Sequence, residues 1–246
     1  INYIDWTPFF HAWELRGSYP SIIEYGKNIE AVKVFEDGKR MLERIFELSL
    51  LSINGVYGFF KARSTDEKVE LLDSNVKFSF PRQLVDKSKP NLCLADFISP
   101  NGDDNIGLFA VTAGHGLEEI VDNYEKDFDD YNSIMVKVIA DRLAEAATEW
   151  LHEKVRKKDW GYAPEENFNN EELIKEKYVG IRPAPGYPSC PDHSEKDKIW
   201  KLLNVEKTVG ISLTESRAMI PASSVCGWYF SHPDSQYFSA LKNNAT

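Results

Sequence analysis

A chain of 246 residues, 42% hydrophobic and 13% aromatic, can bury one substantial core, which excludes a disordered tail. Its 29 Lys and Arg against 39 Asp and Glu give a net charge of −10, which argues against nucleic acid, whose binding draws on basic side chains. No apolar run approaches the roughly 20 residues that cross a bilayer and no signal peptide opens the chain, so a soluble, cytoplasmic protein with no membrane partner is expected.

The chain begins at Ile1 rather than Met, so it is expected to be a piece of something longer. In the first segment Thr7 is a candidate N-cap with Pro8 at the first helical position, and Phe9, Phe10 and Trp13 supply an apolar face. Asp5 stands just ahead, where it either reaches a pocket or caps a turn. Residues 29–50 repeat Val32, Phe35, Met41, Leu42, Ile45, Phe46 and Leu48 at helical spacing, which predicts a surface helix packed on one side.

The period then changes. Val56–Phe60, Lys68–Leu72, Val76–Phe80, Leu92–Ile98 and Ile106–Thr112 read as short strands of an antiparallel sheet, the last two joined as a hairpin through Pro100–Asn105. Asn101, Asp103 and Asn105 imitate the start of a calcium loop but lack its closing glutamate, and are read as turn residues. Gly114-His115-Gly116 lacks the spacing of a phosphate-binding loop and reads as a turn into a helix.

A long helical signal runs from Leu117 to Leu151, with a break expected at 127–130 and the basic run Arg156-Lys157-Lys158 exposed at its end. Glu145 lies on it between Ala144 and Ala146, either solvated or facing a close neighbour. Asn169 or Asn170 caps a short helix expected to reach Tyr178 and to end at Gly180, with Glu176 in its last turn. Ser194 caps another over Ile199–Leu203, and Ser224–Phe230 reads as a late strand, followed by a turn at His232 and by Tyr237.

Between these lies Tyr178–His193, with four prolines and two glycines in sixteen residues. Each proline holds the residue before it extended, so the loop is stiff before any ligand arrives. It is expected to present the Arg182 guanidinium, the lone N–H groups of Ala184, Gly186 and Tyr187, and a phenol. Arg182 either grips a carboxylate or phosphate bidentately or sits in an ordinary salt bridge. The three cysteines, Cys93, Cys190 and Cys226, form no CxxC motif; Cys190 and His193 have metal-like spacing without a second pair, so no metal site is assigned.

Gly180-Ile-Arg-Pro-Ala-Pro-Gly-Tyr-Pro, together with Tyr3-Ile-Asp-Trp-Thr-Pro-Phe-Phe, Asp129-Asp-Tyr-Asn-Ser-Ile-Met-Val-Lys, Trp160-Gly-Tyr-Ala-Pro and Gly227-Trp-Tyr-Phe-Ser-His-Pro-Asp-Ser, resembles the S-adenosylmethionine-binding activation domain of cobalamin-dependent methionine synthase. The resemblance spans most of the chain. It departs at Phe59–Arg63, where the family has Pro-Ala-Asn after its aromatic residue, around 24–54, and at the short end Leu241–Thr246.

The resemblance implies a C-shaped α+β single domain over 1–246, a twisted antiparallel sheet flanked by helices, as one part of a larger multidomain enzyme. It implies S-adenosylmethionine contacts at Asp5, Glu145, Glu176, Arg182, Ala184, Tyr187 and Tyr237. It further implies reductive methylation of a cobalamin held by a neighbouring domain of the same chain, with a flavodoxin-like electron donor as partner. His193 either touches the corrin side or caps a turn. No nucleophile, base and orienting acid assemble into a triad, and transfer from a sulfonium to a cofactor needs none. A sensing module that binds the ligand without methyl transfer is the alternative.

Overall fold

The computed structural model describes residues 1–24, 28–84 and 90–240. Five strands form one curled antiparallel sheet in the order β3-β2-β1-β4-β7, with β1 Ser52–Thr65, β2 Lys68–Leu71, β3 Lys77–Ser79, β4 Asp104–His115 and β7 Ser224–Tyr229. A two-stranded ribbon pairs β5 Ser212–Leu213 with β6 Met219–Ile220. Helices α1 Thr7–Ala12, α2 Ile29–Glu47, α3 Leu117–Lys126, α4 Asp130–Lys154, α5 Asn170–Ile174, α6 Glu195–Leu203 and α7 Val205–Val209 flank the sheet. The fold is thus the expected α+β domain with a twisted sheet.

Strand β4 is buried from Ile106 through Gly114, which is why it reads as a nearly unbroken apolar run. Its side chains alternate between two cores. Ile106, Leu108 and Ala110 join Phe78, Phe80, Trp228, Phe230, Ile199 and Leu203 on one face. Phe109 and Val111 pack with Tyr229, Leu151 and Val155 on the other, where α4 lies. Beyond it, α1, α2 and the first half of α4 close a third cluster around Phe9, Phe10, Phe35, Met41 and Ile139.

Several local expectations give way to capping chemistry. Leu92–Ile98 is not a strand: Asp96 accepts the Cys93 N–H at 2.8 Å and Arg82 clamps the same carboxylate at 2.7 and 2.8 Å, closing a 3-10 turn at Leu94–Phe97. The turn 100–105 therefore leads from that helix into β4, and β4 pairs instead with the distant β1. Trp6, not Thr7, is the N-cap of α1, and Asp5 Oδ1 accepts the Thr7 N–H at 2.9 Å.

The long helical signal breaks where expected, at Phe128, whose φ is 55°. Asp129 caps α4 through Asn132 N at 3.0 Å. The basic run is a correction: Arg156 is fully buried rather than exposed, because the helix widens into a π turn over Val155–Asp159 that carries it inward. The Leu241–Thr246 end lies outside the described residues.

Candidate functional site

Helix α5 ends earlier than its sequence suggests, and the way it ends sets one wall of the site. Glu176 N–H bonds to Leu173 O at 2.9 Å and Lys177 N–H to Glu172 O at 3.2 Å, the paired bonds of a Schellman stop. Glu176 takes the left-handed position of that stop with φ 52°, where glycine is the usual occupant. A glutamate there costs about 1 kcal/mol of backbone strain relative to glycine. Glu176 is exposed through an open cleft, yet burial of part of its surroundings raises its pKa above the ordinary carboxylate value, with Arg182 acting in the opposite sense.

The proline-rich loop runs along the outer edge of β7. Ile181 exchanges two 3.0 Å main-chain bonds with Phe230, and Trp228 N–H bonds to Pro183 O at 3.0 Å. Gly227 makes this approach feasible, since a Cβ there would lie 2.3 Å from Pro183 O. The loop then closes on itself: Gly186 N–H bonds to Cys190 O at 2.7 Å and Tyr187 N–H to Ala184 O at 3.3 Å. Two of the three lone donors expected from the sequence are therefore spent, because consecutive turns over 184–187 and 187–190 fold the segment back on its own carbonyls. His193 packs its ring against Gly186 at a spot that any Cβ would fill. Cys190 is buried with Sγ 3.9 Å from Ser79 O.

Glu145, Glu176, Arg182, Ala184, Tyr187 and Tyr237 line a cavity of about 550 Å³. Asp5 lines a second of about 330 Å³ with Tyr3, Pro8, Arg142 and Glu149, and the two share Glu145, Glu176 and Arg182. All seven residues singled out in the sequence thus surround one two-chambered cleft. Tyr237 is tied in place by the Arg182 main-chain N–H, which donates to its hydroxyl at 3.0 Å. The carboxylates of Glu145 and Glu176 have no hydrogen-bond or ion-pair partner among the described residues.

Of the two readings left open for Arg182, the structure shows the salt bridge, and it engages one end of the guanidinium. Nη1 lies 2.6 Å from Glu149 Oε2 and donates to Tyr178 OH at 2.8 Å, whereas Nε and Nη2 make no hydrogen bond among the described residues. Burial opposes the charge on Arg182, but the field of Glu149, joined by Tyr178, Tyr237 and Glu145, holds its pKa above the ordinary value.

Glu149 and His152 were not singled out in the sequence, and Arg156 was read there only as part of an exposed basic run. Arg156 Nε donates to Glu166 Oε2 at 2.7 Å, its Nη1 lies 3.6 Å from Glu149 Oε1, and its guanidinium covers the Tyr178 ring at 4.0 Å. His152 stacks on Tyr229 with centroids 5.1 Å apart and planes at 9°. Burial, reinforced by Arg156 and Arg182, pushes the His152 pKa well below its ordinary value, so the imidazole is neutral. Arg182 Nη1, a donor only, approaches Nδ1 at 3.4 Å, so the ring proton belongs on Nε2, 3.4 Å from Tyr162 OH. A signal existed: Glu145, Glu149, His152 and Arg156 recur at i, i+4, i+7 and i+11, one polar stripe on an apolar helix.

A curled-sheet α+β domain with a cleft of this size, walled by carboxylates and an arginine, is a pocket-bearing module of a different class from the doubly wound methyltransferases. Residues 1–245 match the vitamin B12 dependent methionine synthase activation domain, and the chain belongs to that family. It is similar to a crystal structure of the MetH reactivation domain bound to AdoHcy, with 50% identity and a TM-score of 0.94 over 98% of this chain and 77% of that one.

Proposed function

We propose that the two-chambered cleft binds S-adenosylmethionine and presents its methyl group to a cobalamin held outside it, by a neighbouring domain of a larger multidomain methionine synthase. One observation carries the reading. A partly uncommitted guanidinium at Arg182 and two unpartnered carboxylates, Glu145 and Glu176, share one cavity. A zwitterionic sulfonium carries the complementary set: one carboxylate for Arg182, and ammonium and sulfonium charges for Asp5, Glu145 and Glu176. The AdoHcy bound by the similar reactivation domain keeps the adenosine and amino-acid portions of this ligand but lacks the methyl and, with it, the sulfonium charge.

The remaining residues on the cleft fit the same picture. Ala184 offers main-chain groups to the adenine, with Tyr187 and Tyr237 beside the ribose and methionyl portions. Bound cobalamin would supply the reduced metal that takes the methyl; this chain's part is to hold the donor in line and keep its charges paired. A flavodoxin-like protein is the proposed electron donor; of the basic run at 156–158, Arg156 is buried, Lys157 pairs with Glu153 at 3.2 Å and Lys158 is exposed.

Titration calorimetry of the chain with S-adenosylmethionine tests the binding step. Arg182→Ala is expected to weaken affinity by about 2 kcal/mol or more, the range for losing one side of a charged hydrogen-bonded pair. Unchanged affinity in that variant removes Arg182 from the contact set. Methyl transfer to cobalamin in a mixture with the cobalamin domain and a reductant separates reactivation from a sensing module, in which the ligand binds and no methyl moves.

A further inference from the structure

Arg182 has two faces on which a carboxylate can form paired hydrogen bonds: the end, using Nη1 and Nη2, and the side, using Nε and Nη2. In this chain the end face is taken. Nη1 is ion-paired with Glu149 Oε2 at 2.6 Å, donates to Tyr178 OH at 2.8 Å and approaches His152 Nδ1 at 3.4 Å. The side face keeps both donors, since neither Nε nor Nη2 has a partner among the described residues. We infer that Glu149 is a positioning residue for the cleft: by occupying Nη1 it fixes the guanidinium plane and directs an incoming carboxylate onto the Nε–Nη2 edge. The inference rests on the cleft binding an amino-acid carboxylate, as proposed above.

The surroundings are built to keep Glu149 still. Its side chain is one-tenth exposed, and its other oxygen lies 3.6 Å from the fully buried Arg156. Arg156 in turn holds Glu166 at 2.7 Å, and Glu166 accepts the Val179 N–H at 3.0 Å. The alternation Arg182, Glu149, Arg156, Glu166 thus starts and finishes on the same short segment, 179–182, through side chains of α4 and of the loop after it. Tyr178 closes the ring, with its face under Arg156 and its hydroxyl on Arg182. These contacts limit the rotamers of Arg182, with the Glu149–Arg156 link an ion pair lacking a hydrogen bond, and fixing the donor before the ligand arrives removes an ordering cost from binding.

The experiment uses this chain and S-adenosylmethionine as the probe. Glu149→Asp withdraws the carboxylate by one methylene while keeping its charge, and is expected to lower affinity on the order of tenfold, within the range of coupling between groups in one network. Glu149→Gln keeps an acceptor at the original reach and is expected to recover most of that loss. In an Arg182→Lys background, which has no side face, Glu149→Asp is expected to change affinity little further. An equal loss in both backgrounds, or full affinity in Glu149→Asp, overturns the inference.

A ligand-free measurement separates it from the wider reading. Side-chain NMR of the wild-type chain is expected to show restricted rotation of the Arg182 guanidinium, released in Glu149→Asp. Free rotation in the wild type overturns the positioning role whatever binds. Failure of the wild type to bind the probe while rotation is restricted overturns the proposed ligand, and with it the direction assigned to an incoming carboxylate.

Discussion

The two halves of α4 are made of the same backbone and sit under the same sheet, yet they do opposite things. From Ser133 to Ala144 the buried face is almost wholly apolar, with Met135, Val136, Ile139 and Leu143 against α1 and α2. From Glu145 to the end of α4 and into the π turn that follows it, the inward face sets Glu149, His152 and Arg156 beside Leu151 and Val155, and Arg156 is as fully buried as Met135. The first half gains from removing carbon from water; the second must satisfy charges that water has left. The difference teaches that burial alone does not mark a core position, and that the helix changes role where it reaches the cleft.

The largest effect is expected from breaking the charged half at its most buried member. Arg156→Met leaves Glu149 and Glu166 without their shared cation, and a loss of about 4 kcal/mol in unfolding free energy is expected, measured by denaturant titration. A variant as stable as the wild type would mean that the charged chain is not a structural element.

Next comes the apolar half, as the contrasting case. Ile139→Ala should cost about 3 kcal/mol through lost packing and the cavity left behind, with little change in ligand affinity per folded molecule. Loss of affinity beyond the unfolded fraction would show that the two halves are coupled and not merely adjacent.

The smallest effect sharpens the boundary between them. Glu176→Gln should weaken S-adenosylmethionine binding by about 1 kcal/mol while leaving stability nearly unchanged or slightly raised, since its carboxylate has no protein partner to lose. The pH dependence has a definite sign. The raised pKa of Glu176 means that, on acidification, it gains its proton earlier than an ordinary carboxylate, so affinity should fall as pH drops, and the part due to Glu176 should vanish in the Gln variant. A flat profile in the wild type would exclude an ionised Glu176 from the contact.

Much of this was legible in the sequence. Helix α2 and the break before α4 followed from apolar spacing, while the cap of Asn28 on Ala31 at 3.0 Å, which starts α2, was not read. The loop 178–193 was legible as stiff because proline restricts its own torsions whatever surrounds it. The seven cleft residues came from a resemblance between ordered motifs, and the fold then brought all seven to one cleft. By contrast, the strand expected at 92–98 failed because one carboxylate, Asp96, could close a local turn that an apolar pattern does not register.

What the amino-acid order determined, then, are the features whose causes lie within one turn or one ring: helix periods, caps, breaks and a rigid proline-rich loop. Only the tertiary structure decided the rest. It chose β1 as the partner of β4, carried Arg156 inward through a widened turn, and set Glu149 and Tyr178 on Nη1 of Arg182. Those outcomes depend on groups far apart in the chain, whose charges and hydrogen bonds gain strength only once folding has brought them together and excluded water.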